Sequence, residues 1–189
     1  MAVISVFNTQ AQDYSTVIST ADLKAHLRVT HSDEDSIIES YRTAACQFVE
    51  NYCNTRLTNT AVEFNLDHFS ATIELTIAPL IRVNSVKYST AKGAALITLD
   101  GSQYYTEKNR SPAVVKFLSS PSVDTNDIAP IVINADIGYN TIPEALVQAV
   151  RFLAAHYYEN RQAAEVANVK QVPIGVFSLM EAYRTISFK

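Results

Sequence analysis

The chain has 189 residues, 48% hydrophobic and 18% charged, with a formal net charge of −4. That apolar share can build a real core and argues against intrinsic disorder, and the length fits one domain or one domain carrying an insertion. The acidic balance disfavours a generally basic nucleic-acid-binding protein. The charge is uneven: residues 1–67 hold nine acids and four bases, residues 68–140 six of each, and residues 141–189 four acids and five bases. An acidic front and a slightly basic tail leave room for complementary faces. No run of about 18 apolar residues occurs and no basic segment leads into an apolar one at the start, so neither a membrane span nor a secretory signal is expected.

Residues 1–18 mix polar and apolar types without Gly or Pro and read as a strand or a loose arm. Ser19 to Asp22 fits a capping pattern in which the Ser oxygen accepts from free backbone N–H groups, and a short helix through Val29 follows. Ser32-Asp33-Glu34-Asp35 places a hydroxyl and carboxylates at the positive end of a second helix. There Ile37, Ile38, Tyr41, Ala44, Ala45, Phe48, Val49 and Tyr52 recur at three- and four-residue steps as one apolar stripe. Glu39, Arg42, Gln47, Glu50 and Asn51 fall mainly on the opposite side, and the helix closes at Asn54-Thr55-Arg56-Leu57. Cys46 and Cys53 lie two turns apart, about 10 Å along the axis. This is beyond disulfide reach, and two reduced, apolar thiols are expected.

From residue 60 to 139 the period changes to two. Residues 62–66, 73–77 and 83–88 alternate as half-buried antiparallel strands do, and residues 113–118 and 131–137 read as further strands. Pro79, Lys92-Gly93, Asp100-Gly101, Ser111-Pro112 and Pro121 mark turns, and Gly138 ends the last strand. The expectation is one small antiparallel sheet or barrel-like layer, with residues 119–129 as its longest loop. Pro143 suits the first helical position. Leu146, Val147, Val150, Leu153, Ala154 and Tyr157 give a second strong helical stripe, ending between Asn160 and Ala167. Residues 162–171 read as a polar link or, through their alanines, as a continuation of the helix. Beyond Pro173 and Gly175, Val176, Leu179, Met180 and Tyr183 form a last, shorter stripe. The fold class is α+β: N- and C-terminal amphipathic helices packed together, with an antiparallel β-rich insertion between them. The whole is a single domain, with residues 19–57 and 142–188 helical and residues 60–139 inserted.

No catalytic constellation competes for this chain. The four histidines, His26, His31, His68 and His156, form no metal-ligand spacing, and His31 with Asp33 and Asp35 reads as a solvated helix cap. Cys46 or Cys53 with a histidine would make a dyad only if the thiols were activated, and an apolar helix face does the opposite. Four glycines leave no phosphate loop. Tyr104-Tyr105 with Lys108 and Arg110 mixes aromatics with bases, as single-strand binders do, but four residues suit strand packing and a basic turn better. His156-Tyr157-Tyr158-Glu159-Asn160-Arg161 is the densest polar-aromatic segment. It reads both as a helix end and as an interface, since Tyr and Arg join contact area to directed polar groups. No catalytic, metal or cofactor residue is assigned.

The ordered motifs Ala25-His26-Leu27-Arg28-Val29, Asn54-Thr55-Arg56, Pro143-Glu144-Ala145-Leu146, His156 to Arg161, and Pro173-Ile174-Gly175 through Tyr183-Arg184 resemble the head–tail connector (adaptor) family of tailed bacteriophages. The resemblance runs from about residue 18 to 184 and is to long members with a β-rich insertion. It departs from the family at Tyr157-Tyr158, where an aromatic pair often includes Trp, and in an N-terminal stretch longer than the common pattern. It implies a non-enzymatic virion protein of the neck, assembled in the host cytoplasm. Copies would form a ring, commonly a 12-mer, beneath the portal protein. The ring would extend the channel through which double-stranded DNA passes and would dock the next head-completion or tail protein. No membrane and no cofactor are implied. The segment from Val172 would reach the portal. The implied portal or subunit interface comprises His156, Tyr157, Tyr158, Glu159, Asn160, Arg161, Pro173, Ile174, Val176, Phe177, Tyr183 and Arg184. Another neck component, a stopper or tail-completion protein, is the alternative within the class, and a small intracellular binding or regulatory module is the alternative outside it.

Overall fold

The structure is a computed structural model and describes residues 3–9, 11–119, 121–123, 127, 129–161 and 174–185. In chain order the elements are β1 (Val3–Asn8), a 3-10 turn (Tyr14–Thr16), α1 (Thr20–Leu27), α2 (Asp35–Cys53), β2 (Thr60–Leu66), β3 (Thr72–Leu75), β4 (Leu80–Tyr88) and β5 (Ile97–Thr98). After a second 3-10 turn (Gly101–Gln103) come β6 (Tyr104–Glu107), β7 (Ala113–Phe117), β8 (Ile131–Ile137), α3 (Glu144–Glu159) and α4 (Ile174–Glu181). The α+β class read from the sequence holds. The chain divides into two compact units: residues 13–58 with 140–184, which are helical, and residues 1–12 with 59–139 and 185–189, which hold the strands.

In the helical unit, Ser19 caps α1 as its pattern implies, its Oγ accepting from the Asp22 N–H at 3.0 Å. The helix stops two residues short of Val29, because Arg28 takes a left-handed conformation at φ 59° and its N–H turns back to close the last turn. Asn54 ends α2 in the same way, at φ 51°. Pro143 is the residue before the first helical position of α3, at ψ 132°, one place earlier than expected. α2 packs against α3, and α4 packs against both. Leu146, Ala149, Val150, Leu153 and Ala154 bury the α3 stripe, each large aliphatic side chain contributing about 1.5–3 kcal/mol.

The stripe on α2 is corrected by the structure. Ile37 and Ala44 are exposed, whereas Arg42 and Glu50, expected on the solvent side, are buried. The buried row runs through Ile38, Arg42, Ala45, Val49 and Cys53, with Cys46 and Glu50 beside it. The two charged residues are tolerated because each closes hydrogen bonds that the backbone needs. Arg42 donates to the Thr20 hydroxyl at 3.0 Å and the Ile18 carbonyl at 3.4 Å. The Glu50 carboxylate accepts from the Tyr14 hydroxyl at 3.0 Å and the Leu57 N–H at 2.8 Å.

The β unit holds two sheets rather than the single layer expected. One has five strands in the order β1-β2-β8-β4-β5, the other three in the order β3-β7-β6, and every pairing is antiparallel. Period-two burial places Val62, Phe64, Leu66, Ile131, Ile133, Ala135 and Ile137 of the larger sheet in one apolar core with Ile73, Leu75, Val115 and Phe117 of the smaller. The residues at 1–18 that read as strand or arm supply β1, which pairs with β2. β3 and β7 end earlier than the alternation suggested, at Leu75 and Phe117. β8 spans the expected residues, and Gly138 follows it at φ 133°, a conformation that favours glycine. Part of the stretch 119–129 and the link 162–171 lie outside the described residues.

Candidate interaction site

The polar-aromatic segment at the end of α3 is held to the start of α2. Glu34 precedes the first helical residue of α2, but its carboxylate makes no cap to its own helix. It accepts instead from the Tyr158 hydroxyl, in a short contact, and from the Arg161 guanidinium at 2.5 Å. Arg161 also lies over the Tyr158 ring, 4.8 Å from its centroid, and Tyr158 meets Tyr41 edge-on at 6.4 Å. The hydrogen bond from Tyr158, then that from Arg161, holds the Glu34 carboxyl below its ordinary range, and the same bond raises the Tyr158 phenol. His31, expected only as part of a solvated cap, approaches Glu34 at 3.9 Å and Asp33 at 3.8 Å.

The other members of the segment take local roles. Asn160 caps α3, its Nδ2 donating to the His156 carbonyl at 2.8 Å, and the His156 and Tyr157 rings are 6.2 Å apart. Tyr157 is half-buried, and burial raises its phenol pKa. Glu159 is exposed.

A second cluster gathers at the far end of α2, about 27 Å along its axis from Glu34. Phe177 of α4 lies 5.3 Å from the Tyr52 ring and 6.2 Å from Phe48. Arg184 lies over the Tyr52 ring, 5.2 Å from its centroid, and Tyr52 donates to Glu181 at 2.8 Å. Val176 is buried, Tyr183 is half-buried, and Arg184 is exposed. Ile174 opens α4, and Pro173 lies outside the described residues. The twelve residues therefore do not converge on one patch: Tyr158 and Arg161 join a cluster at the start of α2, Phe177 and Arg184 one at its end, and the other described residues take local positions. Sequence reasoning missed the residues that anchor them, Glu34 and Tyr52, because their partners are more than a hundred positions away.

Neither cluster is built for chemistry. Burial pushes the Cys46 thiol up to about 12 and the Cys53 thiol up to about 11, so neither is a nucleophile near neutral pH. Among the described residues no group of three or more His, Cys, Asp or Glu converges on a possible metal position, and no helix is long and apolar enough to cross a membrane. In the β unit, Tyr104 packs into the core against Phe117, while Tyr105 is exposed with Lys116 above its ring at 5.9 Å. Arg110 pairs with Glu74 at 3.0 Å. The mixed aromatic and basic turn is thus divided between core and surface rather than forming a stacking platform.

Fold and site together define a class: an α+β chain whose polar and aromatic clusters brace helices. The family model for head completion protein matches residues 16–185, and the chain belongs to that family. No curated protein matches it. Among solved structures it is similar to a chain in the neck of an empty gene transfer agent particle computed with C6 symmetry, with a TM-score of 0.82 and 22% identity over 98% of each chain. It is similar also to a chain in the virion of the native particle, at TM-score 0.81 and 24% identity. A third is in the neck of the native particle computed with C12 symmetry, at TM-score 0.78 and 22% identity. Both of these again cover 98% of each chain. At such identities the likeness speaks to the fold.

Proposed function

We propose that this protein is a non-enzymatic neck component of a phage-like particle, a head–tail adaptor whose copies form a ring beneath the portal. In that role it extends the DNA channel and offers the docking surface for the next neck or tail protein. The observation that carries the reading is the end-to-end correspondence of a head completion family member with chains from particle necks, helices and β unit alike. The two units act as one connector subunit, with β2 to β8 inserted in the helical part and β1 supplied from before it.

A closed ring needs two different, complementary faces on every subunit. The helical unit supplies exposed polar groups for such contacts at Glu159, Arg161 and Arg184, on elements held by Glu34 and Tyr52. Val176 and Phe177 serve the same interface indirectly, by fixing α4 on α2. Passage of duplex DNA asks for no dense phosphate contacts, since tight binding would oppose sliding, and the net charge of −4 suits that task.

Electron microscopy of the protein co-expressed with its own portal protein tests the reading. The expected result is a ring of density capping the narrow end of the portal. A bare portal, with this protein monomeric at high concentration, would refute it and favour a later neck component.

A further inference from the structure

The five-stranded sheet ends in two unlike open edges. At one end is β1, six residues long, paired only with β2 among the described residues. Natural proteins blunt such edges with charge, proline or bulges; residues 1–12 contain no Asp, Glu, Lys, Arg or Pro, and the register of β1 shifts only between Val3 and Ser5. Phe7 on this strand is 57% exposed. At the other end, β5 covers only Lys87 and Tyr88 of β4. Among the described residues, that leaves residues 80–85 of β4 without a strand on that side, a stretch as long as β1. This uncovered part of β4 forms one wall of an open groove of about 370 Å³, and β6, itself the edge of the smaller sheet, forms the other. Ile81, Val83, Tyr104 and Tyr105 line the groove together with the polar Arg82, Thr106 and Lys108.

Resting on the ring reading above, we propose that neighbouring copies join by strand addition: β1 of one copy enters the β4–β6 groove of the next and continues its sheet. Strand direction favours this. β1 runs opposite to β2, β2 opposite to β8 and β8 opposite to β4. β1 of a similarly oriented neighbour is therefore antiparallel to β4, and the ladder stays antiparallel across the junction. The backbone ladder gives the junction its affinity, and the groove lining accepts alternate side chains of the entering strand.

Two single variants test this, each damaging one partner of the junction. Phe7→Lys places a charge on an already exposed position of β1, and Ile81→Lys places one in the groove. Far-UV circular dichroism and the unfolding midpoint establish that both fold. Assembly is read by sedimentation velocity and electron microscopy, with the wild type alone and with portal protein. Wild type is expected to give rings, and each variant by itself monomers. An equimolar mixture is expected to give one-to-one dimers and nothing larger, since one sound β1 and one sound groove remain between the two. Rings from either variant alone would overturn strand addition while leaving the adaptor reading intact. Loss of assembly in Ile81→Lys only would likewise overturn it, and would assign the groove to a different protein's strand. A wild type that forms no ring, even on the portal, would remove the adaptor reading and this inference with it.

Discussion

Glu50 offers the sharpest test of how the helical unit is held together. The residue is 3% exposed, and its carboxylate accepts from the Tyr14 hydroxyl and from the Leu57 N–H. It thereby ties the segment before α1 and the chain leaving α2 to one point. Glu50→Leu keeps the bulk and removes both acceptor oxygens. Each donor left buried and unsatisfied costs about 1–3 kcal/mol, so the loss should be about 2–5 kcal/mol after allowing for the apolar gain. For a chain of this size, each kcal/mol moves the midpoint by roughly 2–4 °C, which predicts a fall of about 5–15 °C. Tyr14→Phe removes the hydroxyl that donates to Glu50 and should cost about 1 kcal/mol. In the double variant the two effects should be non-additive, because the groups are in contact. Thermal and urea unfolding at pH 7, followed by circular dichroism, gives all three values. A Glu50→Leu protein within 0.5 kcal/mol of wild type would refute the reasoning, since it would mean that the carboxylate makes no net contribution.

Four other expectations concern titration and packing. Both thiols should react with a disulfide reagent only as fast as the helical unit opens, and rapid reaction of Cys46 or Cys53 in the folded state would contradict their burial. Because burial raises these thiols to about 12 and about 11, their neutral forms stabilise the fold fully below pH 9, and that contribution is lost as pH rises through the raised values. Stability should therefore slope downward above pH 9, less steeply in a Cys46→Ala, Cys53→Ala variant. Glu34 runs the other way: its contribution is present above its ordinary value of 4.5 and lost as pH falls through the lowered one. Tyr158→Phe should return the Glu34 carboxyl toward 4.5, read by carbon-13 NMR titration, and no movement would refute the contact. Phe64 is fully buried in the β unit, and Phe64→Ala should cost about 3–5 kcal/mol by urea unfolding.

Much of the fold was legible because the sequence carries two clean periods. β8 could be placed to the residue, being an apolar run set between Pro130 and Gly138. Alternation, however, says which face a strand buries and not which strand it pairs with. The division into a five-stranded and a three-stranded sheet was therefore invisible, and β5, two residues long, is too short to show a period at all. On α2 the reading sorted side chains by polarity, so Arg42 and Glu50 were sent outward. Their burial follows from hydrogen-bonding groups elsewhere, at Ile18, Thr20, Tyr14 and Leu57, that no local pattern advertises.

The candidate site shows the same limit with a functional consequence. His156 to Arg161 stood out as a dense polar-aromatic segment, and two readings of it, helix end and interface, were left open. Tyr158 and Arg161 converge on Glu34, while Phe177 and Arg184 converge on Tyr52. Each cluster thus spends part of its polar and aromatic chemistry inside the helical unit, which fixes where the remaining exposed groups point. If partners dock there as proposed, such a surface is pre-set before they arrive, and pre-organisation lowers the ordering cost of association. Conversely, the plainest segment in the chain, the uncharged residues 1–12, drew no functional reading because it lacks charge and aromatic density. On an open sheet edge, the absence of charge and proline is itself informative, because those residues are what normally keep two edges apart.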